Sequence, residues 1–181
     1  MNYLKNTALI SLILISIGCK RDKDDPTDPI DINEEELITS VVLHFNDTES
    51  GVQFSSGWRD LDGPGGNSPV IDSIILETNS IYDVTLQFLD ESKNPSTDIT
   101  EEIKNEDQEH LLCFETSNSL VAIERTDSDG QFEVGLLSKW ISEKTGDGSI
   151  SVSLKHQPNV KDGTCNPGET DVEVEFPLIV E

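Results

Sequence analysis

The sequence predicts an all-β chain: a single antiparallel β-sandwich of immunoglobulin-like type with one short helical connection. Three observations predict it. Apolar residues recur at every second position in several separate stretches, clusters of Gly, Asn, Asp and Pro fill the gaps, and only one stretch has helical composition.

Taken in order, Val41, Leu43 and Phe45 share one face of a strand, opposite Ser40, Val42 and His44. Val52 and Phe54 begin a second run before the turn-rich stretch from Asp60 to Pro69, and Ile74 to Leu76 forms a third. Tyr82, Val84, Leu86 and Phe88 alternate strictly with Asp83, Thr85 and Gln87, the clearest strand in the chain. Ile99 to Glu109 is rich in Glu and Lys and lacks Gly and Pro, which predicts one or two turns of helix capped by Asp98. Leu111–Phe114, Leu120–Ile123 and Val134–Ile141 are further strand candidates. Ile150, Val152 and Leu154 alternate with serines, and Val172, Val174 and Phe176 alternate with Glu173 and Glu175. Pro177 has no N–H for a ladder, so that last strand is expected at an edge or to end there. About seven to nine short strands in roughly 145 residues, with no strand–helix alternation, give the sandwich.

The 181 residues suit one domain preceded by a leader. Lys5 is the only charged side chain in residues 1–18, and Ala8 to Ile17 is a largely apolar run too short to span a bilayer, which needs about 20 residues. Ser16-Ile17-Gly18-Cys19 then sets a small residue directly before a cysteine. This resembles the lipobox of bacterial lipoproteins, departing from it at Ser16 where Leu is usual. The resemblance implies removal of 1–18, lipid (palmitate among its chains) on Cys19, and an outer-membrane address. An ordinary secretory signal with an incidental cysteine is the alternative. Residues 19–36 carry charges, Pro26 and Pro29 but no periodicity, and read as a disordered acidic tether before a sandwich over 37–181. Within it Lys23-Asp24-Asp25 resembles a short surface-export signal of Bacteroidetes lipoproteins; solvation of the tether explains the same residues. The periplasmic and cell-surface faces both stay open.

The formal charge is −24, and Lys5's removal with the leader leaves −25. So acidic a surface repels nucleic acid and anionic headgroups, which need clustered Lys and Arg. Cys113 and Cys165 lie in a compartment that permits a bridge, but two cysteines define no framework. They are read as free thiols, Cys113 in the core, with a disulfide as the alternative.

Arg59-Asp60-Leu61-Asp62-Gly63, Asp98-Ile99-Thr100-Glu101-Glu102-Ile103, Glu109-His110, Leu154-Lys155-His156-Gln157-Pro158 and Gly168-Glu169-Thr170-Asp171-Val172-Glu173-Val174 occur in order. Together they resemble small Bacteroidetes lipoproteins described as type 1 periplasmic-binding-fold superfamily proteins, over nearly the whole mature chain. That description implies a two-lobed α/β fold, for which this chain is too short and too strand-rich. The resemblance also implies an accessory role beside a TonB-dependent outer-membrane receptor.

Candidate ligands follow from parity. His44 faces outward. His110 and His156 fall on inward faces at strand ends, where with Glu109 (or Glu106 or Asp107) they could hold Zn2+ if the strands pair suitably. Two boundary imidazoles with no metal is the competing reading. Asp60 and Asp62, and Asp127 and Asp129, offer oxygens for Ca2+, but position twelve of an EF-hand loop would be Ile71 or Ser138 instead of Glu, and Asp-x-Asp-Gly is equally a turn sequence. Trp58 and Trp140 are assigned to the core, a binding face being the alternative. No Gly-x-Ser-x-Gly, phosphate-binding glycine loop or His-Glu-x-x-His occurs. The expected function is therefore a non-enzymatic binding or accessory lipoprotein that helps a TonB-dependent receptor take up a metal ion or small ligand. The alternatives are an adhesive module binding glycan or protein, and a hydrolase whose site leaves no sequence pattern.

Overall fold

The computed structural model describes residues 37–63 and 65–181; the expected leader, Cys19 and the tether to residue 36 lie outside them. The described chain forms β1 (Ser40–Asp47), β2 (Gln53–Arg59), β3 (Val70–Ile71), β4 (Ile74–Leu76), β5 (Ser80–Asp90), β6 (Thr97–Asp98), α1 (Thr100–Asn105), β7 (His110–Thr116), β8 (Val121–Arg125), β9 (Leu137–Ser142), β10 (Gly146–His156) and β11 (Glu169–Val180). These make two sheets packed face to face. The larger has the order β3-β2-β1-β5-β9-β8 with β6 added to β5, and the smaller the order β4-β11-β10-β7. Every pairing is antiparallel except β4 with β11. Among the described residues no helix is long and apolar enough to cross a membrane.

The period-two pattern places the core. Val41, Leu43 and Phe45 of β1 and Tyr82, Val84, Leu86 and Phe88 of β5 meet Ile150, Val152 and Leu154 of β10 and Val174 and Phe176 of β11, all buried. Phe45 stacks on Phe54 at 4.8 Å and meets the Trp140 ring edge-on at 5.3 Å. Trp140 is fully buried with its indole N–H donating to Ser138 Oγ, and Trp58 packs half-buried against the same core, as expected of both.

Four local expectations need correction. Cys113 and Cys165 form a disulfide (S–S 2.01 Å). Leu112 faces the core opposite Leu154, so its neighbour Cys113 points to the outer side of the small sheet, where residues 157–168 fold back over it. Pro177 is neither at an edge nor at a strand's end. Ser149, its register partner, turns its carbonyl away to Ser117 N, so the Ser149–Pro177 pair exchanges no ladder bonds. The missing N–H therefore faces the β4 side, where pairing begins only at Leu178. The strand expected from Val134 starts at Leu137, because Val134 gives its carbonyl to Leu112 of the small sheet and Leu136 gives its own to Leu86 of the large one. This segment thus crosses from sheet to sheet. Finally, the residue preceding α1 is Ile99, and Asp98 Oδ1 instead accepts from Thr100 N at 3.0 Å; α1 docks by burying Ile103.

Candidate functional site

His110 opens β7 and His156 closes β10, and the two are direct register partners. Their rings lie 5.0 Å apart, stacked at 21°. Parity at strand ends thus brings together the pair singled out in the sequence. His110 is 1% exposed, and its Nδ1 lies 3.0 Å from the Glu106 carbonyl. A carbonyl only accepts, so Nδ1 carries the proton and Nε2 is left as a lone pair in the neutral ring. Burial pushes the His110 imidazole below its ordinary range. The Glu106 contact opposes that shift, and His156 adds to it. His110 Nε2 is 3.9 Å from Asp171 Oδ2, and His156 Nε2 is 3.6 Å from Glu109 Oε2.

Two imidazoles and two carboxylates therefore share one end of the small sheet, although among the described residues no three such side chains converge as a ligand set. Near-parallel stacked rings direct their lone pairs into separate planes. To put both nitrogens about 2.0–2.1 Å from one zinc, at least one ring must turn. The sequence reading missed Asp171, since nothing local in Glu169-Thr170-Asp171 marks it. Its position comes from a bulge in the β10–β11 ladder, where Asp171 is the extra residue between Thr170, opposite Lys155, and Val172, opposite Leu154. Of the other carboxylates considered, Glu106 contributes its carbonyl to His110 and Asp107 its carbonyl to Lys161.

The aspartate loops are built as turns. Asp60 Oδ1 accepts from Gly63 N, and Asp62 Oδ2 from the backbone and side-chain amides of Asn67. Asp127 Oδ1 accepts from Gly135 N, while Asp129 Oδ1 accepts from Gln131 N and Phe132 N. The cation beside Asp129 is the chain's own Lys161, whose Nζ sits 2.7 Å from Oδ2 and also donates to the Asp107 carbonyl; both side chains of the pair are buried. A cleft of about 290 Å3 lies nearby between α1, β5 and the 126–136 segment, with Thr85, Leu86, Lys104 and Leu136 in its walls.

The outer face of the large sheet carries a second arrangement, which the sequence reading did not anticipate beyond placing His44 outward. His44 Nδ1 is 2.8 Å from Ser55 Oγ across the β1–β2 ladder, and His44 Nε2 is 3.2 Å from Gln87 Oε1 on β5. Gln87 Nε2 in turn donates to Asp98 Oδ2 at 2.9 Å. Burial works to raise the Asp98 carboxyl, but the hydrogen bonds from Thr100 and Gln87 outweigh it and hold the group below its ordinary value. These four residues span four strands, so no motif within one strand announces them.

The scan against protein-family models and the searches of curated proteins and of solved structures each returned no match for this chain.

Proposed function

We propose that this chain is a lipid-anchored, non-enzymatic binding module that assists a TonB-dependent outer-membrane receptor in taking up a metal ion or small ligand. One observation carries the reading: an apolar run from Ala8 to Ile17 ends in Gly18-Cys19 and is followed by an acidic stretch and then a β-sandwich. Acyl chains contribute about 0.8 kcal/mol per buried CH2, so two or more on Cys19 would moor a body too acidic to adhere to anionic headgroups unaided.

Mass spectrometry of the protein from native membranes tests it. The expected product begins at an acylated Cys19, and Cys19→Ala is expected to leave the membrane fraction. Retention of residues 1–18, or an unmodified Cys19, refutes both the anchor and the receptor partnership.

The ligand favoured is a divalent transition metal, because His110 and His156 are register partners with Glu109 and Asp171 beside them. Titration of the full-length protein with zinc is expected to give one site, lost in His110→Ala and in His156→Ala. Zinc that fails to bind, or that binds equally after both substitutions, removes the metal while leaving the anchor untouched.

A further inference from the structure

We propose that Ser55 is an activated nucleophile, with His44 its general base, that accepts the acyl group of an uncharged or cationic ester on the outer face of the large sheet. This departs from the non-enzymatic part of the reading above, and leaves its lipid anchor and its metal ligand, which lie elsewhere, untouched.

In the neutral imidazole the hydrogen bonds assign the proton at each link of the chain. Asp98 is an ionised carboxylate and only accepts, so the Gln87 group facing it at 2.9 Å is the amide NH2. Gln87 therefore presents its oxygen to His44 Nε2, which must carry the imidazole proton. In the neutral ring that leaves His44 Nδ1 as a lone pair, to which Ser55 Oγ at 2.8 Å donates its hydroxyl proton. A serine hydroxyl aimed at a neutral imidazole, itself oriented from behind by a third and fourth group, is the arrangement that activates an alcohol nucleophile.

The surroundings suit the chemistry. Ser55 is exposed and lines a cleft of about 350 Å3 shared with Asn46, Gln53, Phe54 and Asp83. Gln53 Nε2 donates to Asn46 Oδ1 at 3.2 Å, which leaves the Asn46 NH2 as a hydrogen-bond donor within the same cleft. Asp83 in the same cleft disfavours an anionic substrate.

In the step itself Ser55 Oγ bonds to the ester carbonyl carbon and its proton passes to His44 Nδ1. The carbon–oxygen bond to the alcohol then breaks, and the departing alkoxide takes that proton. Water, deprotonated by the same nitrogen, releases the carboxylic acid and restores Ser55.

The test treats the full-length protein in detergent with a fluorophosphonate, which forms a phosphorus–oxygen bond to an activated serine as fluoride leaves with the proton. Peptide mapping is expected to find one adduct, on Ser55, formed at least about a hundredfold more slowly in His44→Gln. Slow hydrolysis of 4-nitrophenyl acetate should be lost in Ser55→Ala. Absence of a Ser55 adduct, or equal labelling in His44→Gln, overturns the proposal. Nitrogen-15 NMR of the wild-type protein gives a reading that requires no variant to fold: His44 is expected as the Nε2–H tautomer, and Nδ1–H overturns the assignment.

Discussion

Removing the disulfide should destabilise the sandwich mainly through its unfolded state. Cys113 and Cys165 are separated by 52 residues, and in the chain-entropy treatment a closed loop of that length restricts the unfolded ensemble by about 4 kcal/mol. The folded loop has other holds. Gln157 is fully buried and donates to the carbonyls of Thr164 and Pro167, and Lys161 ties the segment to Asp107 and Asp129. The native arrangement should therefore survive the paired change Cys113→Ala with Cys165→Ala, while the unfolded chain gains freedom. For a domain of this size each kcal/mol moves the melting temperature by roughly 2–4 °C, so the expected drop is about 8–16 °C. Thermal unfolding followed by circular dichroism measures it, and urea unfolding should show a steeper denaturant dependence as the unfolded state expands. A melting temperature changed by less than about 2 °C refutes the entropic account. Alkylation of both cysteines in the unreduced native protein would refute the bridge itself.

Two further outcomes follow from local geometry. A Cβ on Gly168 would lie 2.1 Å from the His156 carbonyl oxygen at φ +82°, whereas one on Gly51, at φ +71°, meets nothing within 4 Å. Gly168→Ala should therefore cost about 3 kcal/mol or more and Gly51→Ala only about 1; equal urea midpoints for the two would show that the close approach is not what constrains the turn into β11. Acid should weaken the fold through Asp129. Burial alone would raise its carboxyl, but the Lys161 ammonium and the amides of Phe132 and Gln131 outweigh that and hold it below its ordinary value of 3.8. As pH falls through that range the unfolded chain takes up the proton first, so stability present above about pH 4 is lost on further acidification. The loss between pH 5 and pH 3, read as urea midpoints, should shrink in Lys161→Met; an unchanged loss would remove the pair from the account.

Much of the fold was legible because period-two patterning is a local signal. Tyr82 to Phe88 and Ile150 to Leu154 each show their buried faces without reference to the rest of the chain. The His110–His156 pair was half legible, since parity placed both rings inward at strand ends, but their cross-strand register emerges only when β7 and β10 meet. The disulfide, the Asp171 contact and the Ser55–His44–Gln87–Asp98 chain were not legible. Each joins residues from different strands or loops, and no short-range spacing encodes such neighbours. Pro177 misled for a related reason: its tolerance depends on which flank its missing N–H faces, set by the pairing with β10, and on where β4, about a hundred residues earlier, begins to pair on that flank.

The parallel seam between β4 and β11 governs how the small sheet closes. β11 lies in the interior of the small sheet, with β10 on one flank and β4 on the other, and Glu181, just past its end, exchanges backbone bonds with Leu76 and Thr78. β7 and β10 can pair without β11, but β4 joins the small sheet only through residues 178–180, about a hundred residues away along the chain. Closing that seam brings together ends far apart in sequence, a step intrinsically slower than zipping up an antiparallel hairpin such as β1 with β2.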